Sequence, residues 1–142
     1  MRPRAFHPMT IDDYDEVLAL WKSLPGVGLH EHGVDSRAGI ERYLSQNPGQ
    51  SFVCKADGQI VGTILCGNDG RRVYIHHLAV ASAWQHKGIA TELLRRALDA
   101  QKALGMTKGH VFVKIENETG KTFWRKAGFA TRHDLELMSG DF

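Results

Sequence analysis

Residues 73–105 constrain the fold most: a run rich in β-branched and aromatic residues is followed by a glycine-bearing turn and then an amphipathic period. Val73-Tyr-Ile-His-His-Leu-Ala-Val80 reads as a strand that stops at the small polar stretch Ala81-Ser82-Ala83. Apolar residues then recur at Ile89, Leu93, Leu94, Ala97, Leu98 and Leu104, a helical spacing that ends at Gly105 as a C-terminal cap. The turn Gln85-His-Lys-Gly-Ile-Ala90 therefore opens a helix. The first N–H groups of a helix lack internal acceptors, and its aligned peptide dipoles place about half a positive charge there, so the turn suits an anion such as phosphate. Gly88 and Ala90 keep side chains out of the way, and Lys87 adds a mobile cation. Taken alone, Gln-x-x-Gly-x-Ala is equally an ordinary small-residue helix start.

The remaining elements follow from periodicity and turn residues. Arg2 to His7 reads as a first strand. Thr10 caps a helix striped by Tyr14, Val17, Leu18 and Trp21, and a second helix from about Ser36 turns Ile40, Tyr43 and Leu44 inward. Ser51–Lys55 and Ile60–Leu65 make a hairpin around Asp57-Gly58, and Asn68-Asp69-Gly70 marks a second hairpin turn. A two-residue turn sets Cys54 opposite Val61, which leaves Cys66 out of register for a disulfide, so both cysteines are expected reduced and buried. Downstream come a strand His110–Ile115, a short helix containing Phe123 and Trp124, and a last strand Ala130–Met138 in which Leu135 and Leu137 alternate with charges. The order is β-α-α-β-β-β-α-β-α-β: an α/β chain with a mixed, largely antiparallel central sheet, flanking helices and a single domain over residues 1–142.

Net charge is only +2 and the basic residues are scattered, which argues against a nucleic-acid partner. No apolar run approaches the roughly 20 residues of a membrane span, and Met1-Arg2-Pro3-Arg4 lacks a signal peptide's apolar segment, so a cytoplasmic location without membrane contact is expected.

Leu78-Ala79-Val80, Gln85-x-x-Gly88-x-Ala90, and Asn117 followed by Phe123, Trp124, Gly128 and Phe129 resemble, in this order and spacing, the GCN5-related N-acetyltransferase (GNAT) superfamily. Its members move an acyl group from acyl-CoA to an amine. These pieces span about half the chain, and a weaker match extends to nearly all of it. The resemblance implies the acyl-CoA N-acyltransferase fold, in which the strand ending at Val80 and the strand ending at Asn117 splay apart to admit pantetheine. It implies acetyl-CoA as co-substrate and admits a homodimer. Leu78, Ala79 and Val80 would run beside the pantetheine arm, the first and last offering main-chain hydrogen bonds. Gln85, His86, Lys87, Gly88, Ile89 and Ala90 would surround the pyrophosphate, and Asn117 would bond near the pantetheine.

An alkylamine is protonated near neutral pH, so its acetylation needs a proton acceptor. Period-two alternation places Tyr74, His76, Leu78 and Val80 on one face of their strand and His77 and Ala79 on the other, so only one of the two histidines is expected to be catalytic. Some amine acetyltransferases of this family carry histidine four residues before the equivalent of Val80, which selects His76. Glu31, in the loop where the family often contacts the acceptor, is the second candidate. His30, Glu31 and His32 with His77 match no known ligand spacing, so no metal is expected. The family usually supplies a tyrosine to protonate the departing thiolate, and here that position is Trp124. An indole N–H donates a hydrogen bond but surrenders no proton, so Trp124 would stabilise the sulfur or pack on pantetheine, and Tyr74 or water would act as the acid. Gly120-Lys121-Thr122 mimics the end of a nucleotide-binding loop, but Ile115 stands where its first glycine belongs.

The expected function is acetyl-CoA-dependent N-acetyl transfer to a primary amine, of a small molecule or a peptide, by direct attack. The alternative, prompted by Trp124, is a non-catalytic acyl-CoA-binding sensor or partner-binding module.

Overall fold

A computed structural model describes residues 3–142. β1 (Arg4–Pro8) leads through a 3-10 turn (Ile11–Asp13) into α1 (Tyr14–Lys22), then α2 (Arg37–Gln46), β2 (Phe52–Ala56), β3 (Gln59–Asn68) and β4 (Val73–Val80). A second 3-10 turn (Ser82–Trp84) precedes α3 (Ile89–Ala103), β5 (Gly109–Val111) and α4 (Glu118–Lys126). The five strands form one sheet in sequence order, antiparallel except for the parallel β4–β5 pair. Chain contacts gather into two compact units, one running through Phe112 and the other Val113–Phe142.

In the first unit, α1 and α2 cover one face of the sheet and α3 the other. Val17, Leu20, Trp21 and Ile40 join Val53 and Leu65 in the core on the α1 side. On the opposite face Ile89, Leu93, Leu94 and Ala97 form the buried stripe of α3. Each such aliphatic side chain contributes about 1.5–3 kcal/mol on burial. Helix starts follow the capping residues: Ser36 accepts the Gly39 N–H at 3.0 Å, and Asp13 accepts the Thr10 N–H at 3.0 Å.

Four expectations change. The first strand begins at Arg4, and Arg2 lies outside the described residues. A bulge between Cys54 and Lys55 sets Cys54 opposite Gly62 rather than Val61; both cysteines are free and buried. The strand expected over His110–Ile115 is only Gly109–Val111, because the parallel ladder stops at Ile75 and Val111, and Ile115 is 84% exposed. Ala130–Met138 forms no strand. Its alternation supplies an apolar face, but a strand also needs a ladder partner, and the second unit taken by itself holds only α4.

Candidate active site

The centre of the site is an irregularity in β4. Leu65 pairs with His76 and Thr63 with Ala79, so Ile64 alone opposes both His77 and Leu78. This bulge cancels the expected alternation. His76 meets Tyr43 of α2 edge-on at 6.0 Å, and His77 lies against Trp21 of α1 at 4.9 Å. Both histidines therefore face the helices α1 and α2, with their rings 6.5 Å apart, and are not on opposite faces. The ladder to β5 ends one residue before His76, so among the described residues β4 has no strand partner on that side from His76 to Val80.

His77 adopts φ 48, a left-handed conformation that costs a non-glycine residue about 1–3 kcal/mol unless its surroundings enforce it. They do. Its Nε2 lies 2.9 Å from both Asp35 carboxylate oxygens. Its carbonyl accepts the Thr63 hydroxyl at 3.3 Å, and that hydroxyl oxygen in turn accepts the Trp21 indole N–H at 3.0 Å. An ionised carboxylate only accepts hydrogen bonds, so Nε2 carries the proton toward Asp35. Asp35 is 2% exposed. Burial alone would raise its carboxyl, but the bonds from His77 and from the His30 N–H (2.9 Å) outweigh it and hold the group below its usual range.

His76 is partly buried, its ring stacked with Phe112 at 6.1 Å. Burial, reinforced by the neighbouring His77, lowers its pKa, so the ring is neutral near pH 7 with a lone pair available. Tyr74 stacks on the other reach of the same aromatic wall, 6.1 Å from Phe112 and 5.6 Å from His110. The Tyr43 hydroxyl is buried without a hydrogen-bond partner among the described residues. Glu31 forms an ion pair with Lys22 at 2.9 Å.

At the other end of β4 lies the turn that begins α3. His86 (φ 62) and Gly88 (φ 82) are both left-handed, a backbone of the kind from which anion cradles are built. Gly88 is the cap residue itself, and glycine takes that conformation without penalty. Gln85 braces the turn by donating from Nε2 to the Val80 carbonyl at 3.0 Å, and Arg4 Nη1 donates to the Lys87 carbonyl at 2.7 Å. Ile89 is fully buried, and a Cβ built on Gly62 would lie 2.9 Å from its Cγ2, so the start of α3 sits hard against the sheet. His86 and Lys87 are exposed, Ala90 and Leu78 partly buried, and Ala79 and Val80 buried. These residues fit an extended ligand carrying phosphates at one end: cradle and cation for the phosphates, and an open strand edge for the arm.

In the second unit, Asn117 caps α4, its Oδ1 accepting the Gly120 N–H at 2.9 Å. Trp124 is buried, edge-on to Phe123 at 5.2 Å and Phe129 at 5.0 Å. Among the described residues no group of three or more His, Cys, Asp or Glu is arranged to hold a metal ion.

Trp21, Thr63 and Tyr43 were not identifiable as site residues from sequence, and the partnership of Asp35 with His77 was not either. Trp21 and Tyr43 register there only as apolar positions of helical stripes, and Asp35 only as one of the acidic residues of the acceptor-side region. A non-glycine bulge in a strand leaves no periodic signal.

A glycine-capped helix start follows a strand whose edge opens halfway along, within a mixed five-stranded α/β sheet. The chain belongs to the acetyltransferase (GNAT) family, whose model matches residues 14–129. It is 33% identical over 127 residues to an acetyltransferase of Photorhabdus laumondii, covering 89% of this chain and 87% of that protein. It is 30% identical to an acetyltransferase of Pectobacterium atrosepticum, covering 84% and 83% of the two chains. Among solved structures it is similar to the PaiA N-acetyltransferase of Thermoplasma acidophilum in complex with coenzyme A (TM-score 0.79, 19% identity, 92% and 91% of the chains). An aminoglycoside N-acetyltransferase in complex with CoA gives a TM-score of 0.77 at 17% identity, with 99% and 96% covered. The chain is thus an acetyl-CoA-dependent N-acetyltransferase of mixed α/β fold. No helix among its described residues is long and apolar enough to cross a membrane.

Proposed function

We propose that this enzyme, acting in the cytoplasm as one domain over residues 1–142, acetylates a primary amine of a small molecule or peptide by direct attack on the acetyl-CoA thioester. The observation that carries this reading is His76: a ring kept neutral by burial, beside the aromatic wall, at the point where β4 loses its strand neighbour. His76 takes the amine proton, directly or through water, as attack proceeds. Backbone N–H groups of Leu78–Val80 meet the developing oxyanion, and the same stretch guides the pantetheine arm. Gln85, His86, Lys87, Gly88, Ile89 and Ala90 receive the pyrophosphate. Glu31, paired with Lys22, is the second candidate base. A thiol titrates near about 8.5, so thiolate is a tolerable leaving group, and Trp124 in the usual tyrosine position is compatible with turnover. Tyr74 or water then supplies the proton.

The test is CoA release from acetyl-CoA across amines, amino acids, short peptides and aminoglycosides, beside thermal shift with acetyl-CoA, for wild type and His76→Ala. Stabilisation with amine-dependent release that falls by about 100-fold in His76→Ala is expected. Release undiminished in the variant overturns the role of His76, and stabilisation without release from any amine of the panel favours a sensor. Size-exclusion chromatography with light scattering tests the homodimer that the family resemblance admits.

A further inference from the structure

We propose that Asp35 and His77 are a positioning pair that fastens the acceptor-side loop to the bulge of β4. The loop, residues 24–36, carries Glu31 and folds back on itself through Asp35. The Asp35 N–H donates to the His30 carbonyl at 3.0 Å, the Asp35 carboxylate accepts the His30 N–H at 2.9 Å, and the Asp35 carbonyl accepts the Tyr14 hydroxyl at 2.7 Å. One buried residue thus closes the turn, anchors it to α1, and presents its carboxylate to His77.

On the strand side, His77 holds the left-handed backbone at the bulge, and the bulge brings its ring to the face already occupied by His76, which stands in regular register opposite Leu65. The Asp35–His77 contact is therefore the joint between the loop that meets the acceptor and the strand that bears the base. Its buried carboxylate is satisfied by His77 and His30, so loosening the ring frees the turn at His30–Asp35 as well. The pair acts through the loop and through its place beside His76; it is separate from the turn after β4 to which the phosphates are assigned. This assignment rests on the acetyltransferase reading only for its kinetic consequence.

The decisive variant is His77→Gly. Glycine adopts the left-handed backbone freely, so the bulge persists while the ring and its tie to Asp35 are removed. Asp35→Asn and His77→Gln serve as companions, the second keeping a donor toward the carboxylate. Hydrogen exchange by mass spectrometry, read without any substrate, should show peptides spanning 29–36 exchanging at least tenfold faster in His77→Gly and Asp35→Asn, and partial restoration in His77→Gln. With any amine that supports turnover, its KM should rise at least tenfold while the KM for acetyl-CoA stays within twofold. Unchanged exchange of the loop in His77→Gly overturns the proposal, as does an equal loss for both substrates. If no amine in the panel supports turnover, the exchange result decides the pair by itself.

Discussion

Titration behaviour at single residues gives the sharpest check on the chemistry. Burial and the neighbouring His77 place the His76 pKa below its ordinary 6.5, so the base is already deprotonated at neutral pH. The acid limb of kcat/KM should therefore inflect below pH 6.5 and vanish in His76→Gln. An inflection at or above pH 7 that survives the substitution would assign the limb to another group. Tyr43 poses a different question, because its hydroxyl is buried without a partner and burial drives its pKa far up. Keeping an unsatisfied hydroxyl dry is unfavourable, so Tyr43→Phe should stabilise the fold by about 1 kcal/mol in urea unfolding. A loss of comparable size would mean that the hydroxyl is engaged. Neither environment was legible in the sequence: Tyr43 read simply as an inward helix position, and His76 lacked a visible partner.

At the scale of elements, the start of α3 and the bulge of β4 each depend on an approach that the backbone permits at one place. Ile89 and Leu93 pack over Gly62, and a methyl group there would come within 2.9 Å of Ile89 Cγ2 and 3.1 Å of Leu93 Cδ1. Gly62→Ala should cost about 1–3 kcal/mol and, by pushing the first turn of α3 off the sheet, weaken acetyl-CoA binding in isothermal titration. Unchanged affinity would show that the anion cradle is independent of how α3 seats. The strand–turn–helix itself was readable because period and cap signals are local. The bulge was not, since what stabilises a left-handed His77 is contributed by Asp35 and Trp21, 42 and 56 positions earlier in the chain. The lost strands teach the same lesson from the other side: alternation at Leu135 and Leu137 defines a possible strand face, yet both side chains are left exposed (61% and 75%) and the segment forms no strand.

For the molecule as a whole, the shifted groups bound the range of pH over which the fold is most stable. His76 and Asp35 both have folded pKa values below their ordinary 6.5 and 3.8. A depressed group contributes stability that is complete above its unfolded pKa and lost as pH falls through the folded one, so both weaken the fold on the acid side, His76 first. Cys66 has the opposite sign: burial raises its thiol from 9.0 to about 11, so its contribution is complete below pH 9.0 and lost as pH rises through about 11. Urea midpoints should therefore plateau between about pH 7 and 9 and fall on either side. His76→Gln should flatten the decline just below pH 6.5. The same burial predicts that native protein at pH 8 leaves Cys66 unmodified by a thiol reagent, with reaction appearing on unfolding.

Element order as far as α4, the mixed α/β class, the strand–turn–helix around Gly88 and the family were determined by the sequence alone, because each rests on local periodicity, turn chemistry or motifs at fixed spacing. The shared face of His76 and His77, the Asp35 joint, the open edge of β4 and the isolation of the Tyr43 hydroxyl were decided only by the tertiary structure. Each depends on burial and on contacts between residues far apart in the chain, and a strand bulge reverses the very alternation from which side-chain direction is read.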